Sequence, residues 1–382
     1  MSVYPIYLDY NATTPCDQQV VDAMLPYFTE HFGNASSKGH AHGWYAEDAV
    51  AQSREQVASL IGADAKEIIF TSGATESINL AIQGLAQLHE KKGKHIITVA
   101  TEHKAVLDVC AHLQGQGYEI TCLPVDAFGM IALEHLEDCI RKDTIMIAAM
   151  YANNETGVIH SVAAIGRIAQ QHAIPFFCDA TQAVGKIPVD VQADYIDMMA
   201  FSAHKMYGPK GAGALFIRKK NPLLEIPPLF FGGAHERKLR SGTLNVPGIV
   251  GMGKAAALCQ TMMASDAKRL LDLRDMFWKE IGTIEGVEWN GQQDQSLTHV
   301  ANICFGMDGG DKLIKMLSKH VSVSSGAACS SATVEPSHVL KAMALSDAKA
   351  HSSIRFSFGR FTTLQEITIA IEEINKAVSR LS

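Results

Sequence analysis

The chain has 382 residues, of which 47% are hydrophobic and 19% are charged, and it carries a formal net charge of −7. This is the composition of an ordinary globular protein, so disordered, collagen-like and coiled-coil classes are excluded. The acidic balance disfavours duplex nucleic-acid binding, because such proteins usually carry a basic excess. We therefore expect no direct nucleic-acid partner.

The sequence shows no sign of a targeting signal or a membrane helix. No apolar run reaches the ~18–20 residues that a membrane helix needs, and the N-terminus has no basic start or signal-length apolar stretch. We expect a cytoplasmic protein without a membrane partner.

The eight cysteines are dispersed along the chain, and the closest pair is Cys110 and Cys122. No C-x-x-C spacing therefore indicates zinc or redox chemistry. Most should be reduced and buried.

Short apolar runs alternate with helical stretches, which predicts a parallel α/β sheet. The predicted strands are 67–70, 95–99, 144–149, 175–178, 195–200 and 212–217, and the predicted helices are 75–90, 104–116, 162–172 and 247–264. After a proline-marked loop the pattern changes near residue 265. There the sequence predicts a charged helix at 265–282, strands at 299–305, 321–324 and 353–358, and a final helix from 363. These later elements indicate a smaller α+β domain.

Ligands of such sheets bind at the carboxyl ends of the strands. After the first predicted strand comes Thr71-Ser-Gly-Ala-Thr-Glu-Ser77, which opens a helix. Free backbone N–H groups and the positive end of the helix dipole suit a phosphate there. The alternative is an ordinary N-cap formed by Ser72 or Thr75. A nucleotide P-loop is excluded, because G-x-x-x-x-G-K-[ST] is missing.

The strongest segment runs from Ala200 to Gly213 and places Ser202, His204 and Lys205 at a strand tip. A lysine in a small pocket forms Schiff bases once desolvation lowers its pKa, and the serine and histidine can hold a phosphate. The alternative is a solvated loop lysine.

Two further side chains follow strands. Asp179 ends an apolar run, where it either faces a cationic group or caps a helix, and His103 is either catalytic or an ordinary surface group. Pyridoxal phosphate takes a helix N-terminus and hydroxyls at its phosphate, a lysine at its aldehyde and a carboxylate at its pyridinium nitrogen. Lys205 and Asp179 together with the 71–77 loop therefore predict this cofactor.

The second domain adds two candidates. Cys329 lies in a stretch of nine small residues, 324–332, which exposes a thiol instead of burying it. Arg355 lies on an alternating strand and suits a substrate carboxylate, with a structural salt bridge as the alternative.

Nine segments along nearly the whole chain carry a joint pattern. They are Tyr7-Leu-Asp-Tyr-Asn-Ala-Thr-Thr-Pro15, Thr71-Ser-Gly-Ala-Thr-Glu-Ser77, Thr101-Glu-His-Lys-Ala-Val106, Asn153-Asn-Glu-Thr-Gly157, Asp179-Ala-Thr-Gln182, Ser202-Ala-His-Lys205, Arg240-Ser-Gly-Thr-Leu244, Ser325-Gly-Ala-Ala-Cys329 and His351-Ser-Ser-Ile-Arg-Phe-Ser-Phe-Gly-Arg360. This pattern resembles the cysteine desulfurases of the iron–sulfur-cluster and nitrogen-fixation type, within the fold type I pyridoxal phosphate enzymes.

The resemblance implies a large domain at 15–260, with a mostly parallel seven-stranded sheet flanked by helices. Residues 1–14 and 261–382 then form the small domain that carries the catalytic cysteine. The implied reaction converts L-cysteine to L-alanine and leaves a persulfide on Cys329, whose sulfur serves iron–sulfur cluster assembly or other thiolation. Some members continue beyond the position of Ser382 in a tail that helps to dock the scaffold, so the sequence leaves that particular docking in doubt without affecting the implied chemistry.

The resemblance also assigns roles. Lys205, Cys329 and His103 are the implied catalytic residues. The implied cofactor-binding residues are Ala74, Thr75, His103, Asn154, Asp179, Gln182, Ser202, His204, Lys205 and Thr243. Within this set Asp179 pairs with the pyridinium nitrogen, Gln182 bonds the phenolic oxygen and His103 stacks on the ring. Thr243 comes from the neighbouring subunit of a homodimer, and Asn154 and Arg355 hold the substrate.

Alternatives remain open. A selenocysteine lyase or a transaminase can use the same fold, and a scaffold protein without cofactor is the alternative from another class. A metal site at His31, His40 and His42 lacks further ligands at recognised spacing, so we expect no metal of the chain's own. Cys329 can still ligate a cluster transiently with a scaffold partner. The sulfur acceptor is not identified by the sequence.

Overall fold

The computed structural model describes residues 5–219, 224–306, 310–325 and 335–381; Cys329 lies outside them. Within these ranges the strands are β1 (Ile6–Tyr7), β2 (Ile68–Thr71), β3 (His95–Val99), β4 (Glu119–Leu123), β5 (Thr144–Met150), β6 (Phe176–Asp179), β7 (Met198–Ser202), β8 (Gly213–Ile217), β9 (Glu288–Trp289), β10 (Val300–Cys304), β11 (Val321–Ser322), β12 (Ser324–Ser325) and β13 (Ser353–Ser357). The helices are α1 (Gln18–Met24), α2 (Pro26–Thr29), α3 (Ala41–Leu60), α4 (Ala74–His89), α5 (Lys104–Gly115), α6 (Leu133–Asp138), α7 (Val162–Gln171), α8 (Val246–Ile281), α9 (Gly310–Leu317), α10 (His338–Ala342), α11 (Asp347–His351) and α12 (Leu364–Val378).

The large sheet has seven strands in the order β2-β8-β7-β6-β5-β3-β4. Only β8 runs antiparallel to its neighbours, which confirms the predicted mostly parallel sheet. Successive side chains of a strand point to opposite faces, so Phe176 joins one apolar cluster and Phe177 the other. Helices α3, α7 and α8 cover the first face, and α4 and α5 cover the second. Burial on both faces explains why these strands read as continuous apolar runs.

Two strands of the large sheet differ by more than one residue from the sequence prediction. The edge strand β4 was not predicted, because Glu119 and Cys122 are exposed and the segment has no apolar run. The strand predicted at 195–200 begins at Met198, because Tyr195 has a φ of 55° and belongs to a turn. The Arg218 guanidinium holds this turn by donating to the carbonyl of Ile196 at 2.6 Å.

The helices predicted at 247–264 and 265–282 are one continuous helix, α8, which has 36 residues. Its apolar first half packs on α3, while Leu270, Leu273 and Phe277 enter a second core. The change in sequence pattern near residue 265 therefore reflects a change in what the helix packs against, not the end of a helix. None of the helices in the described ranges is long and apolar enough to cross a membrane.

The second core lies under a four-stranded sheet of order β12-β13-β10-β9. Strand β1 pairs in parallel with β11, and Leu8 is fully buried in the same core. The N-terminal residues therefore pack with the C-terminal part of the chain. The division into domains at residues 14/15 and 260/261 stays a prediction.

Candidate functional site

One cavity of about 610 Å³ opens at the carboxyl ends of β2, β6 and β7. Ten predicted site residues line it: Ala74, Thr75, His103, Asn154, Asp179, Gln182, Ser202, His204, Lys205 and Arg355. Parallel strands end at a common edge, which explains why residues so distant in sequence meet there. Thr243 does not line the cavity and is exposed on this chain. Cys329 lies outside the described residues.

One end of the cavity is the start of α4, where Gly73, Ala74 and Thr75 follow β2. Glu76 fixes the loop from behind, since its Oε2 accepts the Ser72 N–H at 2.8 Å and its Oε1 accepts from Arg240 Nε at 2.8 Å. Burial acts to raise the pKa of Glu76, but the hydrogen bonds from Arg240 and Ser72 outweigh it and lower the pKa. Glu76 is therefore ionised, and its hydrogen bonds hold the loop in place.

Ser202 and His204 lie beside this end of the cavity. The Ser202 hydroxyl is 3.4 Å from the carbonyl of Ala212, a weak contact that leaves it able to reorient. The His204 Nδ1 lies 3.1 Å from the Thr13 hydroxyl. Burial, with a smaller effect of the Lys205 charge, lowers the pKa of His204 to about 4. At neutral pH this ring is therefore uncharged and acts as a hydrogen-bonding group.

Lys205 ends a 3-10 turn that follows β7 and is half-buried. Its Nζ donates to the main-chain carbonyls of Asn11 and Ala12, the latter at 2.8 Å. Burial, followed by the charge of Arg355, lowers the pKa of Lys205 to about 8, against the opposing effect of two carboxylates. A fraction of the amine is therefore neutral near physiological pH, as a nucleophilic lysine requires. This is not a solvated loop lysine.

His103 and Asp179 lie on the cavity wall. Asp179 ends β6, and its Oδ1 accepts from the Thr181 N–H at 3.0 Å and the Thr181 hydroxyl at 2.5 Å. His103 caps α5, with Nδ1 accepting the Ala105 N–H at 3.1 Å. Burial, with the Lys205 charge, lowers the pKa of His103, although Asp179 acts in the opposite direction. The ring is therefore neutral at pH 7 and carries its proton on Nε2.

Arg355 and Asn154 form the other end. Arg355 donates from Nη1 to the Asn154 carbonyl at 2.9 Å and from Nη2 to Asp9 Oδ1 at 2.6 Å. Its Nε and the Asn154 Oδ1 are buried without a hydrogen-bond partner within the described residues. Unpaired buried polar atoms cost free energy, so this end suits a polar ligand.

The donor set fits pyridoxal phosphate. A helix N-terminus with a hydroxyl and a neutral imidazole suits the phosphate, Lys205 suits an aldehyde, and Asp179 suits a protonated ring nitrogen. The unpaired Arg355 Nε and Asn154 Oδ1 are left for a substrate. In the described ranges no group of three or more His, Cys, Asp or Glu side chains is placed to hold a metal ion.

Sequence reasoning missed several residues that line this cavity or interact with its lining residues. Asn11 and Ala12 lie within the N-terminal motif, but nothing in the sequence links them to Lys205, 194 and 193 residues away. Glu102 is fully buried, and burial, followed by Asp179, raises its pKa well above the usual range. Lys186 also escaped notice; its Nζ donates to Gln182 Oε1 at 2.8 Å. A charged residue type inside an apolar pattern is the signal that could have found the last two.

Comparisons with known proteins show which chains this one is similar to. Residues 6–369 match the aminotransferase class-V family. The curated cysteine desulfurases IscS of Shewanella frigidimarina and Photorhabdus laumondii subsp. laumondii are each 51% identical over 379 residues, covering 99% of this chain and 93% of theirs. A solved NifS-like protein is 36% identical with a TM-score of 0.92, covering 99% of this chain and all of its own. SspA in complex with cysteine is 35% identical with a TM-score of 0.82, covering 94% and 100%.

Proposed function

We infer that this chain, which belongs to the aminotransferase class-V family, is a cysteine desulfurase that converts L-cysteine to L-alanine. The full-length similarity supports the reaction class. The observation in the structure that carries the inference is the single cavity that joins Lys205, the N-terminus of helix α4 and the unpaired Arg355 Nε. Such a cavity holds an amino acid by its carboxylate and a cofactor by its phosphate.

The cofactor that these residues fit is pyridoxal phosphate. When bound, it supplies an aldehyde that joins amines and a ring that withdraws electrons from the substrate. Ala74 and Thr75 would hold its phosphate through main-chain N–H groups, together with Ser202 and His204. Among the described residues, Gln182 donates one of its two amide hydrogens, to the Asn11 carbonyl at 3.0 Å, which leaves the second for the phenolic oxygen.

Arg355 and Asn154 would hold the substrate, Arg355 by its carboxylate. The guanidinium is already fixed in place by Asp9 and the Asn154 carbonyl, so little side-chain entropy is lost when a carboxylate meets its Nε. Arginine also meets a carboxylate through its planar set of donors, which lysine lacks. This end of the cavity therefore orients the amino acid with its amine toward Lys205.

Lys205 would move a proton, and His103 would donate a hydrogen bond. The Lys205 amine, with its pKa lowered to about 8, removes the proton from the substrate α-carbon, since a base works best when its pKa lies near the working pH. The neutral His103 ring carries its proton on Nε2, because Nδ1 accepts a main-chain N–H, so it can donate a hydrogen bond to a reacting group. The two side chains thus supply a base and a hydrogen-bond donor on the same cavity wall.

Cys329 would receive the sulfur. Its thiolate forms a bond to the substrate sulfur as the bond from that sulfur to the substrate β-carbon breaks, and the electron pair of the broken bond stays with the carbon. Protonation of that carbon gives the methyl group of alanine, and the enzyme keeps the sulfur as a persulfide. No outside oxidant or reductant is needed.

The partners follow from this chemistry. Thr243 is exposed on the single chain, which suits its proposed role at the cofactor phosphate of a neighbouring subunit in a homodimer. The persulfide would pass to a sulfur-acceptor protein such as an iron–sulfur scaffold. The seven cysteines in the described ranges are free thiols, which fits the reducing cytoplasm as the compartment.

Three proteins test the proposal: the wild type, Lys205→Ala and Cys329→Ala, each loaded with pyridoxal phosphate and given L-cysteine. We expect the wild type to release alanine and carry bound sulfur. Lys205→Ala should release no alanine. Cys329→Ala should bind cofactor and substrate but transfer no sulfur to an acceptor thiol. Normal sulfur transfer by Cys329→Ala, or no alanine from the wild type, would refute the proposal.

A further inference from the structure

The Asn11 side chain lies at the centre of a buried hydrogen-bond network beneath the cavity. The residue is only 1% exposed. Its Nδ2 donates to the Asn154 carbonyl at 3.0 Å, and its Oδ1 lies 3.0 Å from His299 Nε2. Its main-chain N–H donates to the Ser357 hydroxyl at 2.9 Å. The side chain therefore links the N-terminal segment to Asn154 and to His299, the residue that precedes β10, and the main chain adds a link to strand β13.

The Asn11 carbonyl faces the opposite end of the cavity. It accepts from Gln182 Nε2 at 3.0 Å and from Lys205 Nζ. One residue thus contacts the predicted base, the predicted partner of the cofactor's phenolic oxygen and the predicted carboxylate-binding end. The Asn154 carbonyl that receives Asn11 Nδ2 also receives Arg355 Nη1 at 2.9 Å. A shift of that carbonyl would move the guanidinium with it.

The orientation of the Asn11 amide is fixed by chemistry. A main-chain carbonyl can only accept, so the nitrogen of the amide must face Asn154 and the oxygen must face His299. His299 Nε2 must then carry a proton and donate it. Burial, followed by the nearby cations Lys186, Arg274 and Arg355, lowers the pKa of His299 well below its usual range. The ring is therefore neutral, and its single proton resides on Nε2.

We propose that Asn11 is a positioning residue: its amide, held in one orientation by the Nε2 proton of His299, sets the Asn154–Arg355 end of the cavity relative to Lys205. The proposal rests on the proposed function in one respect, namely that Asn154 and Arg355 hold the substrate, Arg355 by its carboxylate. Loss of the amide should loosen that end of the cavity. Lys205 should be less affected, because the main-chain carbonyl that it contacts remains in any variant of Asn11.

The test compares Asn11→Ala with Asn290→Ala. Asn290 is a buried asparagine away from the cavity whose amide donates to Asn302 Oδ1 at 2.8 Å and Ser353 Oγ at 2.9 Å, so the control also loses two hydrogen bonds. The readouts are L-alanine affinity by calorimetry, KM and kcat for L-cysteine, and the melting temperature of the apoprotein. Asn11→Ala should weaken L-alanine binding and raise KM by about tenfold, with kcat less affected. Asn290→Ala should lower only the melting temperature.

A second pair tests the role of His299. The amide nitrogen of glutamine can take the place of Nε2–H, whereas leucine cannot donate. We expect His299→Gln to keep L-alanine affinity near the wild-type value and His299→Leu to lose about as much as Asn11→Ala. This pair decides the question if Asn11→Ala does not fold.

Three results would overturn the inference: wild-type L-alanine affinity in Asn11→Ala, an equal loss of affinity in Asn290→Ala, or wild-type affinity in His299→Leu. The proposed function is tested separately, by alanine release from L-cysteine in the wild type. If that release is absent, the proposed function fails. The L-alanine affinities still decide whether Asn11 positions the carboxylate-binding end.

Discussion

Replacing Gly213 by alanine should weaken cofactor binding through the loop at the start of α4. Gly213 begins β8 and lies opposite Thr71 of β2. A Cβ built on Gly213 would lie 2.5 Å from Gly73 Cα and 2.7 Å from its carbonyl carbon, whereas ordinary contact begins near 3.4 Å. The opposing atoms are backbone, so they cannot rotate away. Gly73 must move by about 0.9 Å, and Ala74 and Thr75 must move with it.

The expected size follows from the cost of overpacking, which is about 1–3 kcal/mol. If the cofactor-bound loop bears this strain, affinity for pyridoxal phosphate falls by roughly 5- to 150-fold. The assay is a titration of the apoprotein with the cofactor, followed by absorbance, together with the melting temperature of the apoprotein.

Gly115→Ala is the matched control. Gly115 ends α5, and a Cβ there would meet nothing within 4 Å. Alanine in a helix is more stable than glycine by roughly 0.5–1 kcal/mol, so this variant should bind cofactor normally and melt no lower than the wild type. A folded Gly213→Ala protein with wild-type cofactor affinity would refute the reasoning, because the loop would then not depend on the close approach.

Three further predictions follow, one for the stability of the fold and two for the site. Glu236→Gln should destabilise the protein by about 3 kcal/mol, because Glu236 accepts from both terminal nitrogens of the part-buried Arg54 at 2.6 and 2.7 Å; a urea midpoint near that of the wild type would contradict this. The rate at which the apoprotein Lys205 reacts with the cofactor aldehyde should rise with pH and level off above pH 8, because the neutral amine reacts and its pKa is lowered to about 8; a rate still rising steeply at pH 10 would show an unperturbed lysine. Arg355→Lys should raise KM for L-cysteine about tenfold or more, since a point charge replaces a planar set of donors, and an unchanged KM would place the carboxylate elsewhere.

Much of the site could be predicted because each chemical group follows a buried strand. Lys205 and Asp179 end apolar runs, and local sequence patterns reveal such ends without any knowledge of tertiary structure. The continuous apolar strands likewise indicate a sheet covered on both faces. The edge strand β4 carries no such signal. It is the last strand of the sheet and pairs only with β3, and its Glu119 and Cys122 side chains are exposed.

The residues that escaped prediction act through long-range contacts. The Asn11 carbonyl meets Lys205 only after the N-terminal segment crosses to the large sheet, and no local pattern encodes that approach. The continuity of α8 was missed for a related reason: its polar second half is supported by packing of Leu273 and Phe277 in the second core. Tertiary neighbours, not propensity, decide both features.

The most direct test of the central claim is a single turnover. Protein loaded with pyridoxal phosphate is mixed with one equivalent of L-cysteine, and its thiols are then alkylated. The protein is digested, the masses of its peptides are measured by mass spectrometry, and the alanine released is quantified. The account predicts one alanine per active site and one additional sulfur atom on the peptide that contains Cys329. A keto acid in place of alanine, or the additional sulfur on another thiol such as the exposed Cys122, would contradict it.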